Sequence, residues 1–455
     1  MNTDTTAHRS AQDRTPRTPH PAWRVAALTA LAIVVAGAFS TLPGLFTTSL
    51  HEEFGWSRGS IGFATSVNML LYGLTAPFSA ALMDRFGIRR VVTTALVTVA
   101  AGALLTSTVL TAAWQLTLFW GLLVGLGTGS TAMAFGATVT QRWFVRRRGL
   151  VSGVLASAGV LGQMVFLPAL ARVVDHYSWR PALVTVALAA CAVAPAVWLF
   201  LRDHPSDLGA KPYGAASFVP RAAPVHGAAR RTLRVLRNAA RTRPFWLLAG
   251  AFAICGASTN GVMWTHFTPA AHDHGMSATT SSTLLALIGV FNVAGTIASG
   301  WLTDRRPARR LLAVYFALRG VLLLTLPLLM APTVGVPMML FVVLFGLLDL
   351  ATVPPVLALC REHYGDDSAI VFGWISTAHQ LGAALVALVG GTVRDTFGSY
   401  DLVWTGVGAL CAAGALLSLS VRNAVRDTAR DGVRPAPATA RRPTPSSSSA
   451  SRSAS

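Results

Sequence analysis

The sequence predicts an all-α membrane protein of twelve transmembrane helices, arranged as two pseudo-symmetric six-helix bundles. Three observations carry that reading. The chain has 455 residues, 53% hydrophobic and only 12% charged, with a mean hydropathy of +0.54; soluble domains carry roughly 25% charged residues. Its apolar residues gather into runs of about 20 or more, the length a helix needs to cross a bilayer. A charged septet, Asp84-Arg85-Phe86-Gly87-Ile88-Arg89-Arg90, returns 220 positions later as Asp304-Arg305-Arg306-Pro307-Ala308-Arg309-Arg310, each copy lying between two apolar runs. A D-R-x-x-x-R-R turn at one place in each half marks an internal duplication.

In chain order, residues 1–22 are polar and proline-bearing, without a cleavable small-residue site, and read as a disordered cytoplasmic arm. Spans follow near 23–49, 59–83, 91–110, 113–140, 150–171 and 179–201, forming the first bundle, 23–201. The polar stretch 202–243 is a cytoplasmic linker. Its segment Ala228–Asn238 has the pattern of a short basic amphipathic helix on the inner leaflet. The second bundle, 244–421, has spans near 244–269, 278–302, 311–330, 334–359, 369–393 and 401–421. Residues 422–455, rich in Ser, Ala, Arg and Pro, read as a disordered cytoplasmic tail.

Direction follows from the arginines. With both termini inside, the cytoplasmic segments hold 32 of the 37 basic residues; Arg58, Arg172, Arg180 and Arg394 fall outside, and Arg319 falls within a span. That positive-inside bias predicts an N-in/C-in protein. It also accounts for the net charge of +19 and the pI near 11.4. The basic residues sit in short gaps between apolar runs, whereas a nucleic-acid module gathers them on one face with interleaved aromatics, so nucleic acid is not an expected partner. Cys191, Cys255, Cys360 and Cys411 lie in or at the ends of apolar runs without C-x-x-C spacing, and read as small core residues. No metal or cofactor is expected, and with no nucleophile-base pair or phosphate loop, no enzyme.

Twelve spans in two sixes, with the septet between spans 2 and 3 and again between 8 and 9, resemble the major facilitator superfamily over residues 23–421. Ala80–Arg90 matches its G-x-L-x-D-R-x-G-R-R signature with Ala80 at the first glycine, and the second copy keeps that glycine as Gly300. Arg142-Trp143-Phe144-Val145-Arg146-Arg147-Arg148-Gly149-Leu150-Val151-Ser152-Gly153, Trp179-Arg180 and Glu53-Phe54-Gly55-Trp56-Ser57-Arg58 resemble the bacterial monocarboxylate and oxalate/formate porter branch. Residues 284–300 carry neither the aspartate nor the arginine typical of span 8 in monocarboxylate carriers. The resemblance implies a monomeric secondary transporter in the plasma (inner) membrane of a bacterium. It would move a small organic solute such as an organic anion by alternating access, coupled to protons or driven by exchange. A drug or metabolite exporter is an alternative, as is a membrane-embedded solute sensor that binds without transport.

In the resembled family the septets act as inner-side clasps, so Asp84, Arg85, Gly87, Arg89, Arg90, Asp304, Arg305 and Arg309 are gating candidates. Charges inside a membrane are costly and default to functional candidates. Arg319 in span 9 and Asp349 in span 10 fall at equal depth near the midplane, the spacing of an ion pair. His379 could relay a proton with Asp349. Gln380, Asn260, His266, Asn292 and Gln163 are polar at depths that reach a central cavity. Gly121, Gly125 and Gly129, and Gly149 with Gly153, have small-x-x-x-small spacing for helix packing, and Pro354-Pro355 should bend span 10 beside Asp349.

Overall fold

A computed structural model describes residues 20–39, 42–131, 133–218 and 227–421. Residues 1–19 of the expected arm and the expected tail 422–455 lie outside the described residues. Among the described residues, twelve helices are long and apolar enough to cross a membrane. Span 1 is built from Pro21–Phe39 and Leu42–Phe54, span 2 is Arg58–Phe86 and span 3 Ile88–Val109. Span 4 runs from Ala113 to Trp143, span 5 is Arg148–His176 and span 6 Trp179–Phe200. After the linker come span 7 (Arg243–Asp273), span 8 (Ala278–Thr303), span 9 (Ala308–Leu329), span 10 (Val336–Tyr364), span 11 (Ser368–Phe397) and span 12 (Asp401–Ser420).

Both septets lie at one end of the bundle, the septet face. Gly87 joins spans 2 and 3 at φ 87°, and a Cβ there would stand 2.4 Å from an Asp203 carboxylate oxygen, so only glycine makes this turn. The segment after span 6 folds back under span 4. The Tyr213 carbonyl accepts from the Val145 and Arg146 N–H groups at 2.9 and 3.1 Å, and its ring packs on Trp23 and Phe144. The linker helix forms over Ala228–Ala239. It buries Thr232 and Val235 against the bundle, exposes Arg230, Arg234 and Arg237, and ties Arg231 to Asp367 at 3.1 Å. The Trp374 indole donates to its Thr232 carbonyl at 3.2 Å.

Packing in a bilayer gains little from hydrophobicity, so close backbone approach between small residues must hold the helices together. Within the first half, Gly121, Gly125 and Gly129 of span 4 press on the backbone of Ala64, Asn68 and Tyr72 in span 2; a Cβ at Gly125 would lie 2.8 Å from the Asn68 carbonyl. Between the halves, spans 2 and 11 meet as tightly. A Cβ at Gly62 would stand 2.5 Å from the Ala387 carbonyl, and one at Gly391 would stand 2.4 Å from that of Arg58. Spans 5 and 8 touch near Met164 and Gly289, whereas Gly153 and Gly300, nearer the septet face, have nothing within 4 Å. Gly153 therefore does not serve the packing role its spacing implied: its helix faces open space there.

Leucine at Gly125 should overpack the span 2–span 4 seam and cost about 1–3 kcal/mol, read as a lower melting temperature in detergent. Leucine at Gly153 should leave that temperature unchanged.

Candidate functional site

At mid-depth between the halves lies a cavity of about 120 Å³. Thr65, Asn68, Met69 and Tyr72 form one wall; their i, i+3, i+4, i+7 spacing places them on one face of span 2. Phe39 and Pro43 come from span 1, Val124 and Thr128 from span 4, Gln163 from span 5, Asn260 and Trp264 from span 7, and Gln380 from span 11. Every polar group on this wall is uncharged. Drug-sized pockets are roughly 300–1,000 Å³, so this one suits a solute of few heavy atoms.

Two helix irregularities shape the wall. Span 4 is π-helical over Thr117–Val124 and span 7 over Ala257–Gly261. Such wide turns occur often at functional sites and release carbonyls from the regular ladder. The Trp120 carbonyl accepts from the Asn68 amide at 2.8 Å, and that of Asn260 from the Thr265 hydroxyl at 2.7 Å.

Of the eight residues expected on the solute or proton path, Gln163, Asn260 and Gln380 line the cavity and five do not. Asp349 and Asn292 sit behind Trp264, which faces the carboxylate. Asn292 donates to Asp349 Oδ2 at 2.7 Å and accepts from the Leu350 N–H at 2.9 Å, while Asp349 Oδ1 has no hydrogen-bond partner among the described residues. His379 packs on Phe252, with Nε2 3.4 Å from the Thr259 hydroxyl. His266 lies toward the face opposite the septets, with Nε2 3.2 Å from the Val386 carbonyl and its ring against Tyr400.

The expected Arg319–Asp349 side-chain ion pair does not form. Arg319, fully buried, donates instead to the carbonyls of Leu348 and Asp349 at 2.5 and 2.6 Å. Its other terminal nitrogen reaches Cys255 Sγ and Ser258 Oγ, both at 3.2 Å. The cause is a break in span 10, whose first helix ends at Asp349 and whose second begins at Val353. Pro354 and Pro355 bring no N–H for the carbonyls of Leu350 and Ala351 four residues back, and the break itself takes the helical donors from those of Leu348 and Asp349. Ser299 takes the Ala351 carbonyl at 2.5 Å, and Arg319 takes those of Leu348 and Asp349. Equal depth correctly paired the residues; the guanidinium caps the backbone and not the carboxylate.

The first septet knits its half together. Asp84 pairs with Arg142, Asp203 accepts from the Arg89 N–H at 2.8 Å, and Arg142 also reaches the Asp203 carbonyl. The Arg85 and Arg89 guanidinium groups lie over Phe86 and Trp198 and pair with no acid among the described residues. Arg90 is exposed. In the second copy Asp304 forms no ion pair among the described residues, Arg305 donates to the Trp301 carbonyl and stacks on its ring, and Arg309 is half-buried.

On the opposite face the halves are joined by charge. Arg58 of span 2 holds Asp273 of span 7 through two bonds of 2.8 and 2.9 Å, and Arg394 of span 11 reaches the same carboxylate at 2.7 Å. Tyr400 packs beneath Arg58. Burial pushes its phenol up to about 12, so it adds no charge to the cluster at neutral pH. Sequence reading missed Asn68, Tyr72 and Trp264 on the cavity wall, although the polar Asn68–Tyr72 pair, four apart in a membrane helix, was a readable sign.

The Major Facilitator Superfamily family model matches residues 28–387. The chain belongs to that superfamily. It is 27% identical over 378 residues to monocarboxylate transporter 13 of Bos taurus, covering 82% of each chain. To monocarboxylate transporter 11 of Homo sapiens it is 27% identical over 434 residues, covering 90% of this chain and 87% of the other. An uncharacterized MFS-type transporter, YcxA of Bacillus subtilis, is 24% identical over 395 residues, or 85% of this chain and 91% of its own. In fold it is similar to the inward-open xylose transporter XylE of E. coli, with TM-score 0.68 and 13% identity over 88% of this chain and 97% of that one. It also resembles a bacterial homologue of the lysosomal transporter Spinster, with TM-score 0.66 and 14% identity over 88% of this chain and 94% of the other. This superfamily member is thus a multi-pass transporter of solutes, with relatives in the monocarboxylate branch.

Replacing Arg319 with alanine should leave the carbonyls of Leu348 and Asp349 buried without a donor, at about 1–3 kcal/mol for each. Thermal unfolding in detergent should show a large drop for Arg319→Ala and a much smaller one for Asp349→Asn, which keeps an acceptor for Asn292.

Proposed function

We propose that this transporter carries a small monocarboxylate through the central cavity, exposing it alternately to the two faces. The observation that carries the proposal is the cavity itself: mid-depth, contributed by both halves, small, and lined by uncharged donors. The amide groups of Gln163, Asn260 and Gln380 and the Tyr72 hydroxyl can donate to a carboxylate. Phe39, Met69 and Val124 offer an apolar end to its carbon chain. The names of the mammalian relatives support the same class of solute. The arginine bias assigns the septet face to the cytoplasm, so the Arg58–Asp273–Arg394 network closes the outer side.

An anion entering an uncharged cavity inside a membrane needs a compensating positive charge. The Asp349 carboxylate, with one oxygen unpartnered behind Trp264, is the group we assign to accept a proton with each solute. Proton and anion then cross together without net charge movement.

Purified protein in proteoliposomes should catalyse saturable counterflow of short-chain monocarboxylates, and no comparable flux of neutral sugars. Truncation of Gln163 or Asn260 to alanine should raise KM roughly tenfold, the worth of one hydrogen bond to a charged group. An inward proton gradient should accelerate wild-type uptake and should leave Asp349→Asn unaffected. Solute binding without any flux would instead identify a sensor.

A further inference from the structure

The internal repeat contains a second pair of acidic positions, and these connect the two halves. Span 2 opens with Gly55, Ser57 and Ser60, and span 8 with Gly275, Ser277 and Thr280, each 220 positions on, the same offset as the septets. The two glycines adopt matching left-handed conformations, φ 67° and 82°. Ser57 and Ser277 both accept from the N–H three residues later, each at 3.1 Å. A serine cap satisfies one of the orphan donors that begin a helix.

The other donors are satisfied across the interface. Asp395, at the end of span 11 in the second half, accepts from the N–H groups of Arg58 and Gly59 at 3.1 and 2.7 Å. Asp175, at the end of span 5 in the first half, accepts from the Thr279 N–H at 2.9 Å and from its hydroxyl at 2.5 Å. Asp175 and Asp395 are also 220 positions apart, and Thr279 is the counterpart of Gly59. Each half therefore sends one carboxylate to cap one helix of the other, where the helix dipole favours negative charge.

We infer that Asp175 and Asp395 are a duplicated clasp that sets how tightly this face closes during transport. They act as positioning residues that touch no solute. The inference rests on the alternating-access reading above. When the halves part on this side, both helix N-termini lose their carboxylates together and keep only their serines. The two clasps lie on different helix pairs and share no partner, so their effects add. Arg58 has only Ala278 as its counterpart, so the Arg58–Asp273–Arg394 network reinforces the span 2–span 11 side and has no copy on the other. The duplicated element is the carboxylate on the helix end; the ion-pair network is an addition to it.

The test reads opening directly. With Cys191→Ser removing the exposed native thiol, Thr65→Cys places a reporter on the cavity wall nearest this face. A membrane-impermeant maleimide is added from this side to vesicles of known orientation. Asp175→Ala and Asp395→Ala should each speed labelling roughly fivefold, and the double variant should multiply the two effects. Asp175→Asn and Asp395→Asn, which keep the acceptor and lose the charge, should give smaller increases; they also serve if an alanine variant fails to fold. Unchanged labelling in the double asparagine variant, or equal labelling of it and wild type by a reagent added from the septet side alone, overturns the clasp. Labelling needs no solute. A shift in labelling without monocarboxylate flux would therefore sink the transport reading and keep the clasp, and flux with unshifted labelling would do the reverse.

Discussion

A backbone carbonyl that leaves its helix inside a membrane has no water to turn to and must find a donor within the protein. That constraint organises the centre of this molecule. Span 10 breaks between Asp349 and Val353 because two prolines follow, and the exposed groups are met from two neighbouring helices. Arg319 of span 9 supplies two donors, Ser299 of span 8 supplies a third, and Asn292 of span 8 accepts the Leu350 N–H. The π-helical turns of spans 4 and 7 pose the same problem on the cavity wall and are solved by Asn68 and Thr265. Irregular backbone beside a midplane site is a recurring device of transporters. Here each irregularity costs a dedicated polar side chain, which explains why Ser299, Asn292 and Arg319 stand on neighbouring spans without reaching the cavity.

Duplication supplies two frames of very different strength. On the septet face the copies have diverged: Asp84 binds Arg142 and the neighbouring turn wraps Asp203, whereas Asp304 has no ion pair among the described residues. On the opposite face the copies remain alike in caps, glycine conformations and carboxylates. A contact between halves that is used twice has to fit both helix pairs at once, so its geometry is held by two sets of neighbours. A contact within one half is free to change alone.

Much of this architecture was readable from residues. Bilayer thickness sets the length of an apolar run, so all twelve spans and the linker helix were placed, with edges off by a few residues: span 1 reaches Phe54 and span 4 Trp143. The site was half readable. Depth along a helix follows from counting, and the three residues it placed at mid-depth that line the cavity are Gln163, Asn260 and Gln380. Counting says nothing of rotation about the helix axis, so it could not tell that Asp349 and His379 point away from the cavity while Asn68 and Trp264 point into it. Nor could it foresee that a break in span 10 would take up Arg319. Asp175 and Asp395 looked like ordinary loop-side acids; only their common offset from each other and from their partners' helix starts distinguishes them.

Charge is distributed with the same economy. Apart from Arg319 and Asp349, the described charged groups sit at the ends of the spans or in the segments between them, and the cavity wall is neutral. Arg319 spends its terminal donors on carbonyls, a thiol and a hydroxyl, so it has none left to offer a solute. Its charge nevertheless remains, a few ångströms from Asp349, and in a low-dielectric core that separation still couples them strongly. While Asp349 is ionised the two cancel. On the proposed function, a proton on Asp349 would leave the fixed guanidinium charge unopposed and make the nearby neutral cavity attractive to an anion. An arginine committed to holding a broken helix would thus also set the electrostatic balance of the site, because it cannot lose its proton and cannot move without releasing the backbone.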